Sequence, residues 1–317
     1  MFTQAGQSTA ARLREAGQGL TGLEFKARQV VDGFLAGSHR GPRRGSSAEF
    51  AEHRAYAPGD DLRYLDWKVF GKHDRFYLKQ LEQETNFTCH LLLDASSSML
   101  YRSEDASLSK LETGCLAAAA IAWLVLRQQD LVGMTAFAQS LQMQLPPSGQ
   151  PSHLKQIADA LEQIMVRSAA ASDANGAPTT EPAPTLRPLH EWCEQGWKRA
   201  VVVVLSDCLG DLSSNLEALR RLRSCRHDVV LLHVVDPAEQ DFPFDEPTRF
   251  HDVESGRAQP VDCRQLRAAY CADFESFRRK LETDCRELGA DYALLRTDAP
   301  VELALAAFLS RRVRQGA

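Results

Sequence analysis

The sequence has no cysteines at C-x-x-C spacing, no apolar run long enough to cross a bilayer and no strong excess of one charge. Each absence excludes a class of protein. The eight cysteines are scattered, so neither a zinc ribbon nor a dithiol redox motif is offered. Free thiols inside apolar patterns behave as small hydrophobes, and a reduced, cytoplasmic protein is the expectation. The longest apolar stretch, CLAAAAIAWLVL at 115–126, is shorter than the ~18 residues of a membrane helix and reads as a buried helix. The opening MFTQAGQSTAARLREAG lacks an apolar h-region, so no secretory signal is expected. A formal net charge of −5 gives no general attraction to nucleic acid or anionic membrane. Phosphate-cradling G-x-x-x-x-G-K-[ST] and nucleophile-elbow G-x-S-x-G patterns are both missing. The nine histidines show no metal-ligand spacing.

What is present is an apolar fraction of 44% over 317 residues, enough for a sizeable core. Residues 1–19 are small and polar, and expected to be poorly ordered. Residues 20–86 open with a helical pattern, LEFKARQVVDGFLAG, and continue as an irregular block rich in Arg, Gly and aromatics. From 87 to 314 strands and helices alternate. FTCHLLLD (87–94), RAVVVVLSD (199–207) and DVVLLHVVD (228–236) read as buried strands, and TRFHDVESGRAQPVD (248–262) as a hairpin. The Ala/Pro/Ser/Thr-rich stretch 168–188 is expected to be an exposed, flexible insertion. Apolar, non-alternating strands separated by helices predict an α/β fold: a doubly wound, mostly parallel sheet covered on both faces.

In such sheets ligands sit beyond the carboxyl ends of the strands, where strand order reverses. Asp94 ends one buried strand, and Ser96 and Ser98 follow at two-residue steps. A curled loop would aim all three at one point. One acid and two hydroxyls form an all-oxygen, weakly charged set suited to a hard cation, Mg²⁺ or Mn²⁺, and open to an outside ligand. Asp207 ends a second buried strand by the same logic. Asp and Ser after a strand are also common turn and helix-cap residues.

With these residues in view, DASSS at 94–98 resembles the metal-ion-dependent adhesion site (MIDAS) of von Willebrand factor A-type domains, and LSDCLGD resembles its third loop, with Asp207 in the aspartate position. The resemblance implies a von Willebrand factor A-like, Rossmann-type fold holding magnesium, with a partner's carboxylate completing the coordination. It also implies a second-loop hydroxyl, for which Ser152 is the candidate and Ser148 the alternative, since PPSGQPSHLKQI contains no threonine. Upstream, Arg40, Gly45, Glu49-Phe50, Arg54, Tyr56, PGDD at 58–61, Arg63 and Asp66-Trp67 are similar to the domain-of-unknown-function family fifty-eight. That resemblance implies a MoxR-type AAA+ ATPase as partner in chaperone-like complex maturation of an unidentified client.

Two readings follow. One is a non-catalytic, metal-dependent protein–protein interaction module. The other is a magnesium-dependent phosphohydrolase using Asp94 as nucleophile, against which stands Ser96 where such an enzyme needs a second acid. His153, beside Ser152, is either a neighbour of the site or a lone surface histidine. Arg54 and Arg63 have internal ion pairs with Asp60, Asp61 or Asp66 as their simplest use, while Arg43 and Arg44 could equally meet an anionic partner.

Overall fold

The computed structural model describes residues 23, 24, 26–28, 30, 31, 53–55, 77–79, 87–173, 186–246, 248–251, 258–302, 305 and 306. The chain divides into two compact units, residues 40–86 and the remainder. In the smaller unit, strands β1 (His53–Ala55) and β2 (Tyr77–Lys79) pair antiparallel with Arg54 opposite Leu78. The side chains of its arginine and aromatic block lie outside the described residues, as do residues 1–19.

The larger unit is built on one sheet. β3 (Thr88–Asp94) leads through a 3-10 turn (Ser97–Leu100) to helix α1 (Lys110–Arg127), β4 (Leu131–Phe137) and β5 (Leu141–Ser148). Helix α2 (His153–Asp173) and the short α3 (Pro188–Glu194) precede β6 (Val201–Ser206). Then come α4 (Leu212–Ser224), β7 (Asp228–Val235), the short α5 (Pro237–Asp241) and the hairpin of β8 (Thr248–His251) and β9 (Ala258–Val261). The long α6 (Cys263–Glu287) and β10 (Asp291–Arg296) follow. The residues that join the two hairpin strands, 252–257, lie outside the described residues, and after β10 Glu302, Leu305 and Ala306 are helical.

Strand order is β10-β7-β6-β3-β4-β5. All pairings are parallel except β4 with the edge strand β5. The sheet is therefore doubly wound and mostly parallel, as the alternation implied. Side chains alternate between its faces with period two. Leu91, Leu93, Val203, Leu205 and Leu232 join one apolar cluster with Ala117–Ile121 of α1 and Leu161 of α2. Leu92, Val202, Val204 and Leu231 join the other with Trp192 of α3, Leu219 of α4 and Leu281 of α6. Both faces being covered is why these strands read as continuous apolar runs. β5 differs because it is the edge. Its exposure alternates, with Gln142 and Gln144 outward, and it carries Pro146 and Pro147, which suit only a strand with one unpaired side.

Leu23, Ala27 and Val31 are buried in the first cluster, and Arg28 lies over the Trp123 ring at 4.6 Å. The opening helical segment thus packs with the sheet unit, whereas the sequence pattern grouped it with 40–86. A second difference concerns 168–188. Helix α2 runs on to Asp173, because Ala169, Ala170 and Ala171 are strong helix formers. Leu186 is fully buried, and residues 174–185 lie outside the described ones.

Candidate metal centre

Strand order reverses between β3 and β6, which are direct neighbours with Leu93 opposite Leu205. The next residues, Asp94 and Ser206, therefore meet at the carboxyl edge. Ser206 donates its hydroxyl to Asp94 Oδ2 at 2.6 Å. The Ser96 N–H donates to Asp94 Oδ1 at 3.0 Å. The ladder to β4 persists for one more step, Ala95 N–H to the Phe137 carbonyl at 2.7 Å, and then the 3-10 turn curls the chain. That turn sets Ser96 Oγ and Ser98 Oγ 3.0 Å apart. Asp94, Ser96, Ser98 and Asp207 are all buried, none more than 5% exposed.

Two carboxylates share this buried crevice. Burial, and then the charge of Asp207, push the Asp94 carboxyl up to about 6, although hydrogen bonds from Ser206 and Ser96 pull the other way. Asp207 is counterbalanced by Lys110, the first residue of α1, whose Nζ donates to Asp207 Oδ2 at 2.8 Å and to Glu239 Oε1 at 2.5 Å. Burial works against the ammonium, but Asp207 and Glu239 outweigh it and hold Lys110 above its ordinary pKa. Burial raises Glu239, with Lys110 opposing.

The loop carrying Asp207 is fixed from below and beside. The Leu209 N–H donates to Asp207 Oδ1 at 3.2 Å, and the Cys208 N–H to Ser206 Oγ at 3.0 Å. Cys208 takes a left-handed backbone, φ 52°. Asn215 of α4 donates to the Cys208 carbonyl at 2.9 Å, while its own Oδ1 accepts the Leu186 N–H at 2.9 Å. His233 of β7 reaches the Asp207 carbonyl through Nε2 at 3.0 Å and Tyr292 Oη through Nδ1 at 2.8 Å. A carbonyl only accepts, so the Nε2–H donates and Nδ1 accepts from the tyrosine. Burial depresses His233 to about 4, keeping the ring neutral.

A third strand-end acid, Asp236 after β7, is committed to structure. It caps α5 through the Ala238 N–H at 2.9 Å and accepts the Ser103 N–H at 3.0 Å.

The structure brings together four of the five residues expected to surround a cation: Asp94, Ser96, Ser98 and Asp207. Ser152 is not among them. β5 is antiparallel, so it returns the chain to the amino edge of the sheet. There Ser148 pairs with Val132, and His153 is buried with Nε2 on the Val132 carbonyl at 2.9 Å. Val132 lies five residues before Phe137, which pairs with Asp94, or about 16 Å at the usual rise per strand residue. Ser152 and Ser148 thus stand at the wrong edge, and His153 is a structural core histidine. Sequence reasoning missed Ser206, Lys110 and Glu239. Ser206 had a signal, since it is the last residue of a buried strand. Lys110 had a weaker one: it follows Ser109 in a Ser-x-x-Glu capping box, where a cation opposes the helix dipole.

The donor set suits a magnesium- or manganese-type ion. It consists of two carboxylates and two hydroxyls, all hard oxygens, and Asp94 is held against its ionised form first by burial and then by the charge of Asp207, which a divalent cation would offset. Among the described residues, no three His, Cys, Asp or Glu side chains gather into a metal cluster, and all eight cysteines are free thiols. No described helix is long and apolar enough to cross a membrane.

The sequence profile of the family described as "Protein of unknown function DUF58" matches residues 52–280. Uncharacterized proteins of Mycobacterium tuberculosis and Mycobacterium bovis are each 27% identical over 297 residues, covering 93% of this chain and 89% of theirs. Among solved structures, an aerotolerance-related membrane protein from Bacteroides fragilis aligns over 72% of this chain and 99% of its own, at 17% identity and a TM-score of 0.45. BatB of Bacteroides thetaiotaomicron aligns over 73% and 98%, at 17% identity and a TM-score of 0.46.

Proposed function

The chain belongs to the DUF58 family, and on that footing we propose that it is a metal-dependent protein-interaction module. The carrying observation is the convergence of Asp94, Ser96, Ser98 and Asp207 at the point where strand order reverses. These residues would hold Mg²⁺ or Mn²⁺, and the ion would supply an electrophilic point for an outside oxygen ligand. The ligands from the chain are few and low in charge, which favours capture of a carboxylate from another protein. Leu209, 42% exposed and two residues after Asp207, adds an apolar contact at the rim. The partner class we propose, on the family resemblance, is a MoxR-type AAA+ ATPase acting on a separate client.

The phosphohydrolase reading has less support. Both Asp94 oxygens already accept hydrogen bonds, and position 96, where the acid/base would stand, is a serine. The test measures affinity for the cognate ATPase in Mg²⁺ and in EDTA, for the wild type and Asp94→Ala, with phosphatase turnover assayed in parallel. Binding that needs metal and Asp94 supports the module. Association indifferent to both removes the role of the site, and metal-dependent turnover lost in Asp94→Ala establishes the enzyme.

A further inference from the structure

Lys110 is a residue of the site whose presence runs against local preference. A lysine on the first turn of a helix opposes the dipole, and a fully buried ammonium is costly unless paired. Here it is fully buried and bridges elements far apart in sequence, Asp207 after β6 and Glu239 in α5. Two acids hold it by direct bonds, Asp207 and Glu239, and Asp207 in turn repels Asp94. Asp207 Oδ2 therefore already has a cation.

We infer that Lys110 is the site's tethered counter-cation: its ammonium occupies Asp207 in the metal-free protein and sets how tightly the site takes a divalent ion. Loading requires the ion to share or displace that contact, and Glu239 is positioned to keep the ammonium when Asp207 releases it. The inference rests on the divalent-cation reading for the wild type, but it stands or falls on a difference between variants. An ammonium a few ångströms from an ion with two charges repels it strongly in a buried, low-dielectric setting. Removing the ammonium leaves the acids to the ion alone. Removing Glu239 leaves the ammonium wholly to Asp207.

The experiment titrates Mn²⁺ into the full chain by calorimetry and electron paramagnetic resonance, with Mg²⁺ as competitor. Lys110→Met should bind at least about tenfold more tightly than wild type. Glu239→Gln should bind severalfold more weakly, since the ammonium then rests on Asp207 alone, while glutamine can still accept the Asp236 N–H and keep the helix cap. A folded Lys110→Met with unchanged or weaker affinity overturns the inference and leaves the metal reading intact. A silent wild type with a Lys110→Met that binds supports the inference and overturns metal dependence, because the lysine is then the resident cation. If Lys110→Met does not fold, Glu239→Gln decides: weaker binding supports the inference, equal or tighter binding overturns it. A wild type silent toward both ions, together with a silent or unfolded Lys110→Met, overturns both.

Discussion

Ser206 and Asp94, 112 positions apart in sequence, share a 2.6 Å hydrogen bond that ties the end of β6 to the end of β3. The same hydroxyl accepts the Cys208 N–H at 3.0 Å. One small side chain therefore anchors both the carboxylate and the loop that presents Asp207.

Ser206→Ala should lower unfolding stability by about 1–3 kcal/mol, because it leaves buried polar groups without partners. It also removes a bond that favours the ionised form of Asp94, so metal affinity should fall in the same variant. Urea denaturation and calorimetry check the two effects. Unchanged affinity would mean that Ser206 supports only the fold.

The behaviour of this edge follows from sequence patterns only in part. Strands β3, β6 and β7 were legible because runs such as VVVVL leave no choice but burial on both faces, and an acid at the end of such a run must sit at the sheet's edge. Lys110, Glu239 and Ser206 were not legible as a network. Their contacts span 97, 129 and 112 positions, and only strand order brings them together. Ser152 was misplaced for a related reason. Alternating polarity in LQMQL signals a strand but not its direction, and an antiparallel edge strand moves everything after it to the far end of the sheet.

The second prediction concerns that far end. His90 of β3 meets Trp192 edge-on at 5.0 Å and Trp197 at 4.8 Å between centroids, and His227 packs on Trp192 at 5.3 Å. Burial, and then His227, lower His90 to about 4. His227 is also lowered by burial, although Asp228 opposes. A folded pKa below the unfolded value of about 6.5 means that the unfolded chain binds protons first. Stability from His90 is thus complete above about pH 6.5 and lost as pH falls toward 4. The full span is about 3 kcal/mol at 1.36 kcal/mol per pKa unit. His90→Phe keeps a ring against the tryptophans and should flatten the fall in unfolding free energy between pH 6.5 and 4.5. An equally steep fall in that variant would place the acid sensitivity elsewhere.

A third prediction tests the support beneath Asp207. Tyr292→Phe removes the hydroxyl that His233 Nδ1 accepts and leaves a buried ring nitrogen unsatisfied. Stability should drop by about 1–3 kcal/mol. If the tyrosine–histidine relay orients the Asp207 loop, divalent-ion affinity should weaken as well. Thermal melts alone would show the first effect, and only the titration separates a positioning role from a packing one.

The last prediction sets stability and binding against each other at Asp94. The carboxylate is buried and faces Asp207, which raises its pKa to about 6. A carboxyl whose folded pKa lies above its unfolded value adds stability below the unfolded value of 3.8, and that stability is lost as pH rises through about 6. At pH 7.5 the ionised group therefore works against folding in the metal-free protein, by on the order of 1–3 kcal/mol. Asp94→Asn has the same shape without the charge, so it should be as stable as wild type or more stable in EDTA. Wild type should gain about 2.7 kcal/mol when Mg²⁺ stands at a hundred times its dissociation constant, because an ion that binds only the folded chain adds its binding free energy to stability. Asp94→Asn should gain much less at the same concentration. The measurement is unfolding free energy for both proteins with and without Mg²⁺. An asparagine variant that is weaker in EDTA yet responds fully to Mg²⁺ would mean that Asp94 serves the fold and that the cation binds elsewhere.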